Sequence, residues 1–302
     1  MNNKQLKYAI ELSKSLNFSQ VASKLGISQP ALSKQIIALE KELGVTLFDR
    51  KKSPLELTAA GEHFFSEAQD LLYREEQLYR SMEDFNKGTK GRLVIGISPF
   101  RSLYLLPEAI RKFKEKYPGV KIVLKEEGSA LLRTNACEGK YDLAIVNLPV
   151  DESVLDVITL EQDTLVLAVP KKMRNLLGDF SGERLSQIDF KYLSNLPFIV
   201  VSKSQEMRQL FEKNCAASGI RANITMEVVG LTTAWAMVQA GAGATLLPLQ
   251  FVENMNFKDN VDLFIPKCDT NVRQPAIVTR HGQFLSEYAK YFIKLLTDKD
   301  NI

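Results

Sequence analysis

In the part of the chain after residue 90, small polar side chains lie at the junctions between predicted strands and the predicted helices that follow them. The members of this set are Ser98, Arg101, Ser102, Gly128, Ser129, Asn147, Ser202, Ser204, Thr232 and Thr233. Ligands of open α/β sheets lie at the carboxyl ends of strands, where helix starts supply N–H donors and a positive dipole. Hydroxyl groups gathered at several helix starts suit a small anion, most simply a carboxylate. Taken singly, each hydroxyl is better explained as a helix cap.

A second group of polar and basic side chains lies within the first 60 residues. Its members are Ser28, Gln29, Pro30, Ser33, Lys34, Arg50, Lys51 and Lys52. Short polar groups at a helix tip can approach base edges, with Gln29 suited to adenine and Ser33 to a base or a phosphate. The three basic residues at the end of the group suit phosphates. The group therefore predicts contact with nucleic acid, although a helical hairpin packed on another domain and a solvated basic turn have the same sequence pattern.

Catalysis finds little support in the sequence. The two histidines, His63 and His281, fall in a predicted helix and in a predicted turn. The motifs of zinc peptidases, serine hydrolases and nucleotide-binding loops are absent. Glu126 and Glu127 are adjacent in a predicted strand, so their side chains face opposite sides and do not form a catalytic pair. The sequence predicts no catalytic residue, no metal site and no cofactor.

Length and composition are those of an ordinary globular protein. The chain has 302 residues, of which 45% are hydrophobic and 25% charged, and about 150 residues per domain suggests two domains. Its apolar runs fall far short of the ~18 residues that a membrane span needs, and the N-terminus lacks a signal-peptide core. Cys137, Cys215 and Cys268 lie far apart, which excludes a zinc ribbon or a disulfide framework. We expect a cytoplasmic protein that does not bind membranes.

Charge is segregated along the chain. Residues 1–60 hold nine basic and five acidic side chains, whereas residues 61–90 hold four basic and seven acidic ones. The net charge of the whole chain is only +3. A basic head on a near-neutral body is expected where only the head meets nucleic acid. A solvated basic surface is the alternative.

The elements that position the basic group follow a helix-turn-helix pattern. Apolar residues at helical spacing over 6–16 predict a first helix, and a second begins at the cap Ser19. Gly26 lies where the chain must turn sharply, in a conformation that glycine adopts readily. Ser28 then caps a third helix, which buries Leu32, Ile36, Leu39 and Leu43. Residues 45–58 predict two short strands around a basic turn, which together form a wing.

A long helix is predicted to follow, from the cap Thr58 to about Asn86. Apolar residues recur along it at heptad spacing, and this seam consists of Phe64, Leu71, Leu78, Met82 and Phe85. Such a narrow stripe favours a coiled coil with a second chain, and packing onto the chain's own body is the alternative. Residues 86–91, rich in glycine and lysine, predict a hinge.

Strands alternate with helices in two rounds from residue 92 onward. Alternation at this spacing predicts parallel βαβ units in two lobes. Residues 164–170 form an apolar strand that could cross from the first lobe to the second. The strands and helix at the end of the chain could return to the first lobe.

The run NFSQVASKLGISQPALSKQIIALEKELGVTLFDR (17–50), followed by LTAAG (57–61), closely resembles the DNA-binding domain of LysR-type transcriptional regulators. The body resembles the regulatory domain of the same family through LLP (105–107), YPGV (117–120), YDLAIV (141–146) and GAGATLLP (241–248). Two positions depart from the pattern. Val21 replaces a usual alanine, and Ile37 replaces a frequent Lys or Arg, which predicts one phosphate contact fewer.

The resemblance implies an α/β fold with an N-terminal all-α winged helix-turn-helix, a long linker helix and a two-lobed periplasmic-binding-protein-like regulatory domain. The expected boundaries are 1–60 for the DNA-binding domain, 61–90 for the linker and dimerisation helix with its hinge, and 91–302 for the effector-binding domain. Lobe I is expected at about 91–163 and 265–302, and lobe II at about 164–264.

The expected function is regulation of transcription through sequence-specific binding to double-stranded DNA with dyad symmetry. A small, anionic effector bound between the two lobes is expected to modulate it. The resemblance implies a homodimer that assembles to a homotetramer, with RNA polymerase as a further candidate partner. The alternative is a small-molecule-binding or enzymatic α/β protein whose N-terminal helices serve only assembly.

Overall fold

A computed structural model describes residues 1–87, 91–203, 205–255, 259–268 and 272–298, with the backbone alone at 76, 80, 81 and 83–87. The chain divides into two units, Met1–Glu83 and Asp84–Ile302. We call residues 1–60 the head and residues 91–302 the body.

The head is a helix-turn-helix followed by a two-stranded wing. Its elements are helices α1 (Asn3–Ser15), α2 (Phe18–Lys24) and α3 (Gln29–Leu43), and strands β1 (Phe48–Asp49) and β2 (Glu56–Leu57), which pair antiparallel. Gly26 turns the chain between α2 and α3 with a φ of 66°, a conformation that costs little only for glycine. Ser28 caps α3, because its side chain accepts a hydrogen bond from the backbone N–H of Ala31 at 3.3 Å.

The second helix begins earlier than predicted. Its cap is Asn17, whose side chain accepts a hydrogen bond from the backbone N–H of Gln20 at 3.0 Å. The predicted cap, Ser19, lies inside the helix. Asn and Ser are similarly good caps, so residue type alone does not choose between them. The earlier start places Phe18 in the helix, where it packs against the core of the head.

Helix α4 (Ala59–Lys87) leads out of the head. Thr58 caps it by accepting a hydrogen bond from the backbone N–H of Gly61 at 2.9 Å. Phe65 and Ala68, in its first turns, are buried in the core of the head together with apolar side chains of α1, α2 and α3. The first turns of α4 therefore complete the core of the head, although most of the helix lies beyond residue 60.

The body alternates strands and helices. In chain order they are β3 (Gly91–Ile97), α5 (Pro99–Lys116), β4 (Val120–Glu126), α6 (Ser129–Cys137), β5 (Leu143–Asn147), β6 (Leu155–Thr159), β7 (Asp163–Pro170), β8 (Gln187–Ile188), β9 (Pro197–Val201), α7 (Glu206–Ala217), β10 (Asn223–Val228), α8 (Leu231–Gln239), β11 (Thr245–Pro248), α9 (Leu249–Asn254), β12 (Val261–Pro266), β13 (Val272–Arg273), β14 (Pro275–Arg280) and α10 (Glu287–Thr297). Short 3-10 turns cover Lys171–Leu177 and Phe190–Leu193.

Two sheets define two lobes. Lobe I has the strand order β4-β3-β5-β14-β6. Lobe II has the order β11-β7-β12-β8 with β13 added on β7, and beside it a separate two-stranded sheet in which β9 runs parallel to β10, as predicted. As predicted, β3 runs parallel to β4 and β5. However, β14 runs antiparallel to β5 and β6, and β7 runs antiparallel to β11, β12 and β13. The alternation of strands and helices predicted no direction for these pairs, because it does not set the direction of a strand that arrives from a distant segment.

The chain crosses between the lobes at β7 and again before β14. Asp163, the first residue of β7, pairs with Arg273 of β13. Because β12 and β13 both pair with β7, the chain returns to lobe I only at Pro275, later than the predicted residue 265. Among the residues that the structure describes, no helix is long and apolar enough to cross a membrane.

Candidate functional site

The polar residues at the start of α3 lie on its exposed side. Ser28, Gln29, Pro30 and Lys34 are exposed, and Ser33 is half-buried. The opposite side of the helix holds Leu32, Ile36 and Leu39, which are fully buried. The first turn of a helix also presents free N–H groups and the positive end of the helix dipole. This surface can therefore approach base edges or phosphates.

Arg50 is held in place by a buried carboxylate. Its Nη2 donates to Oε2 of Glu40 at 2.9 Å, and its guanidinium lies 5.6 Å from the centre of the Phe18 ring. Oε1 of Glu40 accepts the backbone N–H groups of Leu47 at 2.8 Å and Phe48 at 3.2 Å. Glu40 thus attaches the wing to α3, and Arg50 belongs to that attachment.

Lys51 and Lys52 lie in the turn of the wing, and both are exposed. The ammonium group of Lys52 pairs with Glu56 of β2, and this hydrogen bond raises the pKa of Lys52. Exposed ion pairs of this kind contribute little to stability. Both lysines can therefore turn toward a phosphate, and Arg50, which is exposed as well, keeps N–H donors beyond the one that Glu40 accepts.

Helix α4 exposes apolar side chains at heptad spacing. Leu71, Leu78 and Met82 are 51%, 60% and 49% exposed. Phe64, the first member of the predicted seam, is half-buried and packs against the core of the head. The side chain of Phe85 lies outside the described residues. A row of large apolar side chains along one side of a helix is typical of a surface that packs against another helix.

A cavity of about 540 Å³ lies where four helices of the body begin. Its lining includes the first residues of α5 and α6 from lobe I and of α7 and α8 from lobe II. Gly128 and Gly230 precede α6 and α8, and glycine has no side chain with which to cap a helix. The first N–H groups of these two helices are therefore available to a bound acceptor, and each helix start adds about half a positive charge.

Five of the predicted ligand residues gather around this cavity. Those that line it are Ser98, Gly128 and Ser129. Asn147 lies beside it, since its Nδ2 donates to Oε2 of Glu206, a lining residue, at 2.7 Å. The hydroxyl of Ser102 donates to Glu126, which is another lining residue.

Three further predicted residues, Ser202, Thr232 and Thr233, do not line the cavity. Ser202 donates to the carbonyl of Val228 at 3.4 Å, within lobe II. Thr232 and Thr233 are exposed and do not line the cavity. Oγ1 of Thr232 nevertheless lies 3.6 Å from the position of a Cβ at Gly230, which lines the cavity. Ser204 lies outside the described residues.

Arg101 belongs to a buried ion network, in which its Nε has no hydrogen-bond partner among the described residues. Its Nη2 donates to Oδ1 of Asn147 at 2.8 Å and lies 3.6 Å from Oδ2 of Asp163. Asp163 also pairs with Arg273, and these side chains are all buried. Burial lowers the pKa of Arg273, although Asp163 opposes this shift. Burial also raises the pKa of the hydroxyl of Tyr104, which interacts with Arg101 and Asp163 of this network. The network joins α5 of lobe I to the strands at which the chain crosses between the lobes.

Sequence reasoning missed Asp163, Glu206 and Arg273. The first and the last had a detectable signal, because an isolated charge beside an apolar strand is typical of a buried ion pair. Glu206 had none, since a glutamate in the first turn of a helix is ordinary. It approaches Asn147 only because the fold brings α7 beside the end of β5.

A second cavity, of about 720 Å³, lies on lobe II beside α7. Phe211, Cys215 and Ile220 are among its lining residues. Burial raises the pKa of the Cys215 thiol to about 11, so the thiol stays protonated and packs as a small apolar group. Within the described ranges, no group of three or more His, Cys, Asp or Glu side chains could hold a metal ion.

Two family models match the chain. Residues 3–62 match the model described as bacterial regulatory helix-turn-helix protein, lysR family. Residues 86–301 match the model described as LysR substrate binding domain.

Curated relatives are regulators of the same kind. The HTH-type transcriptional regulator AlsR of Bacillus subtilis (strain 168) is 33% identical over 250 residues, which cover 82% of this chain and 80% of AlsR. The uncharacterized HTH-type transcriptional regulator YcgK of the same strain is 31% identical over 260 residues, with the same two coverages of 82% and 80%.

Solved structures share the fold. A full-length OxyR variant from Pseudomonas aeruginosa gives a TM-score of 0.63 at 23% identity, covering 99% of this chain and 94% of that one. Full-length CbnR, solved in complex with its target DNA, gives 0.57 at 20% identity, covering 97% of this chain and 98% of that one.

Proposed function

The chain belongs to the LysR family of DNA-binding transcriptional regulators, and we propose how this member works. It reads DNA with α3 and the wing, pairs with a second copy through α4, and senses a small effector in the cavity between its lobes. The functional division is 1–60 for DNA binding, 61–90 for the linker and 91–302 for effector binding. Members of the family are regulators and not enzymes.

We assign DNA recognition to the exposed start of α3. The set that enters the major groove is Ser28, Gln29, Pro30, Ser33 and Lys34, and Lys51 and Lys52 of the wing reach phosphates. A helix whose N-terminal residues face the groove is how helix-turn-helix proteins read base edges. The exposure of these residues opposite a buried stripe supports this role. Arg50 fixes the wing through Glu40 and also reaches a phosphate with its remaining N–H donors.

Dimerisation falls to the exposed seam of α4. Leu71, Leu78 and Met82 lie at heptad spacing and are each about half exposed or more, which suits burial against the same seam of a second copy. A two-fold dimer places two heads on the two half-sites of an operator with dyad symmetry. Assembly to a tetramer and contact with RNA polymerase are implied by the family and remain predictions.

The effector binds in the cavity through an anionic group at the starts of α6 and α8. One observation carries this proposal: four helices from two lobes begin at one cavity, and two of them have glycine at the cap. A ligand that touches both lobes binds different arrangements of the lobes with different affinity. That difference is the free energy available to reposition the heads on DNA.

A carboxylate built into the protein tests this site. Gly128 has a φ of -71°, and a Cβ there meets nothing within 4 Å, so Gly128→Asp should fold normally. Its carboxylate would cap α6 and repel an anion. We expect that at least one small ligand with a carboxylate, among simple acids such as acetate and benzoate and the standard amino acids, raises the Tm of the wild-type chain and changes its affinity for operator DNA.

Gly128→Asp should abolish both responses while leaving DNA affinity without ligand unchanged. Ser218→Asp, at an exposed position of lobe II, is the matched control and should respond as the wild type does. A carboxylate that stabilises Gly128→Asp as strongly as the wild type would place the effector site elsewhere.

A further inference from the structure

The cavity between the lobes is lined by carboxylates as well as by helix starts. Glu126 and Glu127 of lobe I and Glu206 of lobe II line it, and among the described lining residues Arg273 is the one basic side chain. Arg273 is already paired with Asp163. A ligand with an anionic group alone therefore meets like charges as well as the helix starts.

The positive ends of the four helices balance these carboxylates. Each helix start counts as about half a positive charge, and the buried network of Arg101, Arg273 and Asp163 carries one net positive charge. The four starts and this network together amount to about three positive charges, against three carboxylates. The charges around the cavity therefore sum to about zero, but the positive and the negative groups occupy different parts of its lining. Such a site is complementary to a ligand that is neutral in sum and carries separated charges of both signs.

Two of the carboxylates keep acceptor capacity for a cationic group. From the described residues, Glu206 accepts two hydrogen bonds, both at Oε2, and Glu126 accepts one at Oε1. A carboxylate offers about four lone-pair positions, so each can also accept hydrogen bonds from an ammonium group. Glu127 differs, because Tyr141 and Asn135 hold it within lobe I.

Ser98 is an independent indication that a ligand belongs in this cavity. It lines the cavity and is only 7% exposed, and its Oγ has no hydrogen-bond partner among the described residues. Its side chain does not cap α5 either. A buried hydroxyl without a partner is costly, and a carboxylate oxygen of a ligand would satisfy it. Leu131 and Val229, which are 52% and 78% exposed, line the cavity from the two lobes and suit an apolar group.

We propose that the effector is a zwitterion of the α-amino-acid type. Its carboxylate lies at the starts of α6 and α8 and accepts from Ser98, and its ammonium group donates to Glu206 and Glu126. The side chain of the amino acid lies between Leu131 and Val229. This inference rests on the proposed effector cavity and adds the chemical class of the ligand.

A matched series of ligands tests the class. The full chain is titrated with the twenty standard L-amino acids, with Tm as the first readout and calorimetric affinity for each hit. Every hit is compared with its deaminated acid and its decarboxylated amine, for example leucine with 4-methylpentanoate and 3-methylbutylamine. We expect at least one hit, and at least about tenfold weaker binding of both analogues, since each loses a charge-assisted contact. No hit, or an acid that binds as tightly as its amino acid, overturns the proposal.

Glu206→Gln separates the charge of Glu206 from its hydrogen bonds. The amide oxygen can still accept from Asn147 and Ser129, but the negative charge is gone. We expect about tenfold weaker binding of the amino acid, with binding of the deaminated acid unchanged or tighter. Glu253→Gln, exposed on α9, is the control and should change neither affinity. Unchanged binding of the amino acid to Glu206→Gln overturns the proposal.

The two proposals fail in different ways. A deaminated acid that binds as tightly as its amino acid, and loses its binding in Gly128→Asp, overturns the zwitterion and leaves the effector cavity in place. An amino acid that binds Gly128→Asp and Glu206→Gln as tightly as it binds the wild type binds outside this cavity. That result contradicts the effector cavity as well as the zwitterion.

Discussion

Oε2 of Glu206 accepts a hydrogen bond from Nδ2 of Asn147 at 2.7 Å, so the first residue of a lobe II helix is tied to the last residue of a lobe I strand. Oδ1 of Asn147 accepts in turn from Arg101 at 2.8 Å, and Arg101 approaches Asp163 at the start of β7. A polar path therefore runs from the lining of the cavity to the strand at which the chain crosses between the lobes. A ligand that binds Glu206 acts directly on a contact between the lobes.

Asn147→Asp tests this contact. It replaces the N–H donor to Glu206 by a carboxylate oxygen that faces the carboxylate of Glu206, while the other oxygen keeps its hydrogen bond from Arg101. Because Arg101 offsets part of the repulsion, we expect a net loss of about 1 kcal/mol in the free energy of unfolding at pH 8. The loss should shrink as the pH falls, because one of two facing carboxyl groups then takes up a proton. Urea denaturation of the full chain at pH 8 and pH 5 measures both values.

Asn195→Asp, at an exposed position, is the control for Asn147→Asp and should cost less than about 0.5 kcal/mol at either pH. A loss in Asn147→Asp that does not depend on pH would contradict direct contact between the two side chains.

Glu40→Ala should loosen the wing. It leaves the buried N–H groups of Leu47 and Phe48 and the guanidinium of Arg50 without their acceptor, which costs about 2–4 kcal/mol locally. Amide hydrogen exchange across residues 45–58 should accelerate roughly 30-fold or more. Glu42→Ala, exposed on the same helix, should leave exchange in the wing unchanged. Equal protection in both variants would show that Glu40 does not hold the wing.

Charge on the seam of α4 should prevent dimerisation. Leu71→Arg combined with Met82→Arg places cations opposite one another in a parallel or antiparallel pair of seams, so we expect at least about tenfold weaker self-association. Sedimentation equilibrium measures it. Glu67→Arg, exposed but outside the seam, should keep the mass of the wild type. An unchanged mass in the double variant rejects the seam.

His281 should titrate above its usual pKa. Its Nδ1 lies 2.7 Å from Oδ1 of Asp156 and its Nε2 lies 3.0 Å from the carbonyl of Glu152, and these contacts, the carboxylate first, raise the pKa of His281. Because the shift is upward, the stabilisation is fully present below about pH 6.5. It is lost as the pH rises through the raised value.

An NMR titration of the histidine ring protons measures the pKa of His281. Asp156→Asn should move its midpoint down toward about 6.5, whereas Asp189→Asn, on lobe II, should not move it. A midpoint that Asp156→Asn leaves unchanged would contradict the contact.

Local features of the sequence predicted local structure well. The turn at Gly26, the cap at Ser28 and the cap at Thr58 follow from residue types and spacing, and each is present. Long-range features escaped prediction. The antiparallel direction of β7 depends on which distant strands pair with it. The contact between Asn147 and Glu206 joins residues 59 positions apart, and no property of either residue indicates that the two meet.

The most direct test of the central claim is a fluorescence-anisotropy titration of the full chain with DNA from upstream of its own gene, against scrambled DNA. We predict tighter binding to the upstream DNA, and a fall of at least about tenfold between about 50 and 200 mM salt. Ser33→Glu should lose this binding because its carboxylate opposes the phosphates, while Ser66→Glu, exposed on α4, should keep it. Normal binding by a folded Ser33→Glu variant would contradict the assignment of α3 to the DNA.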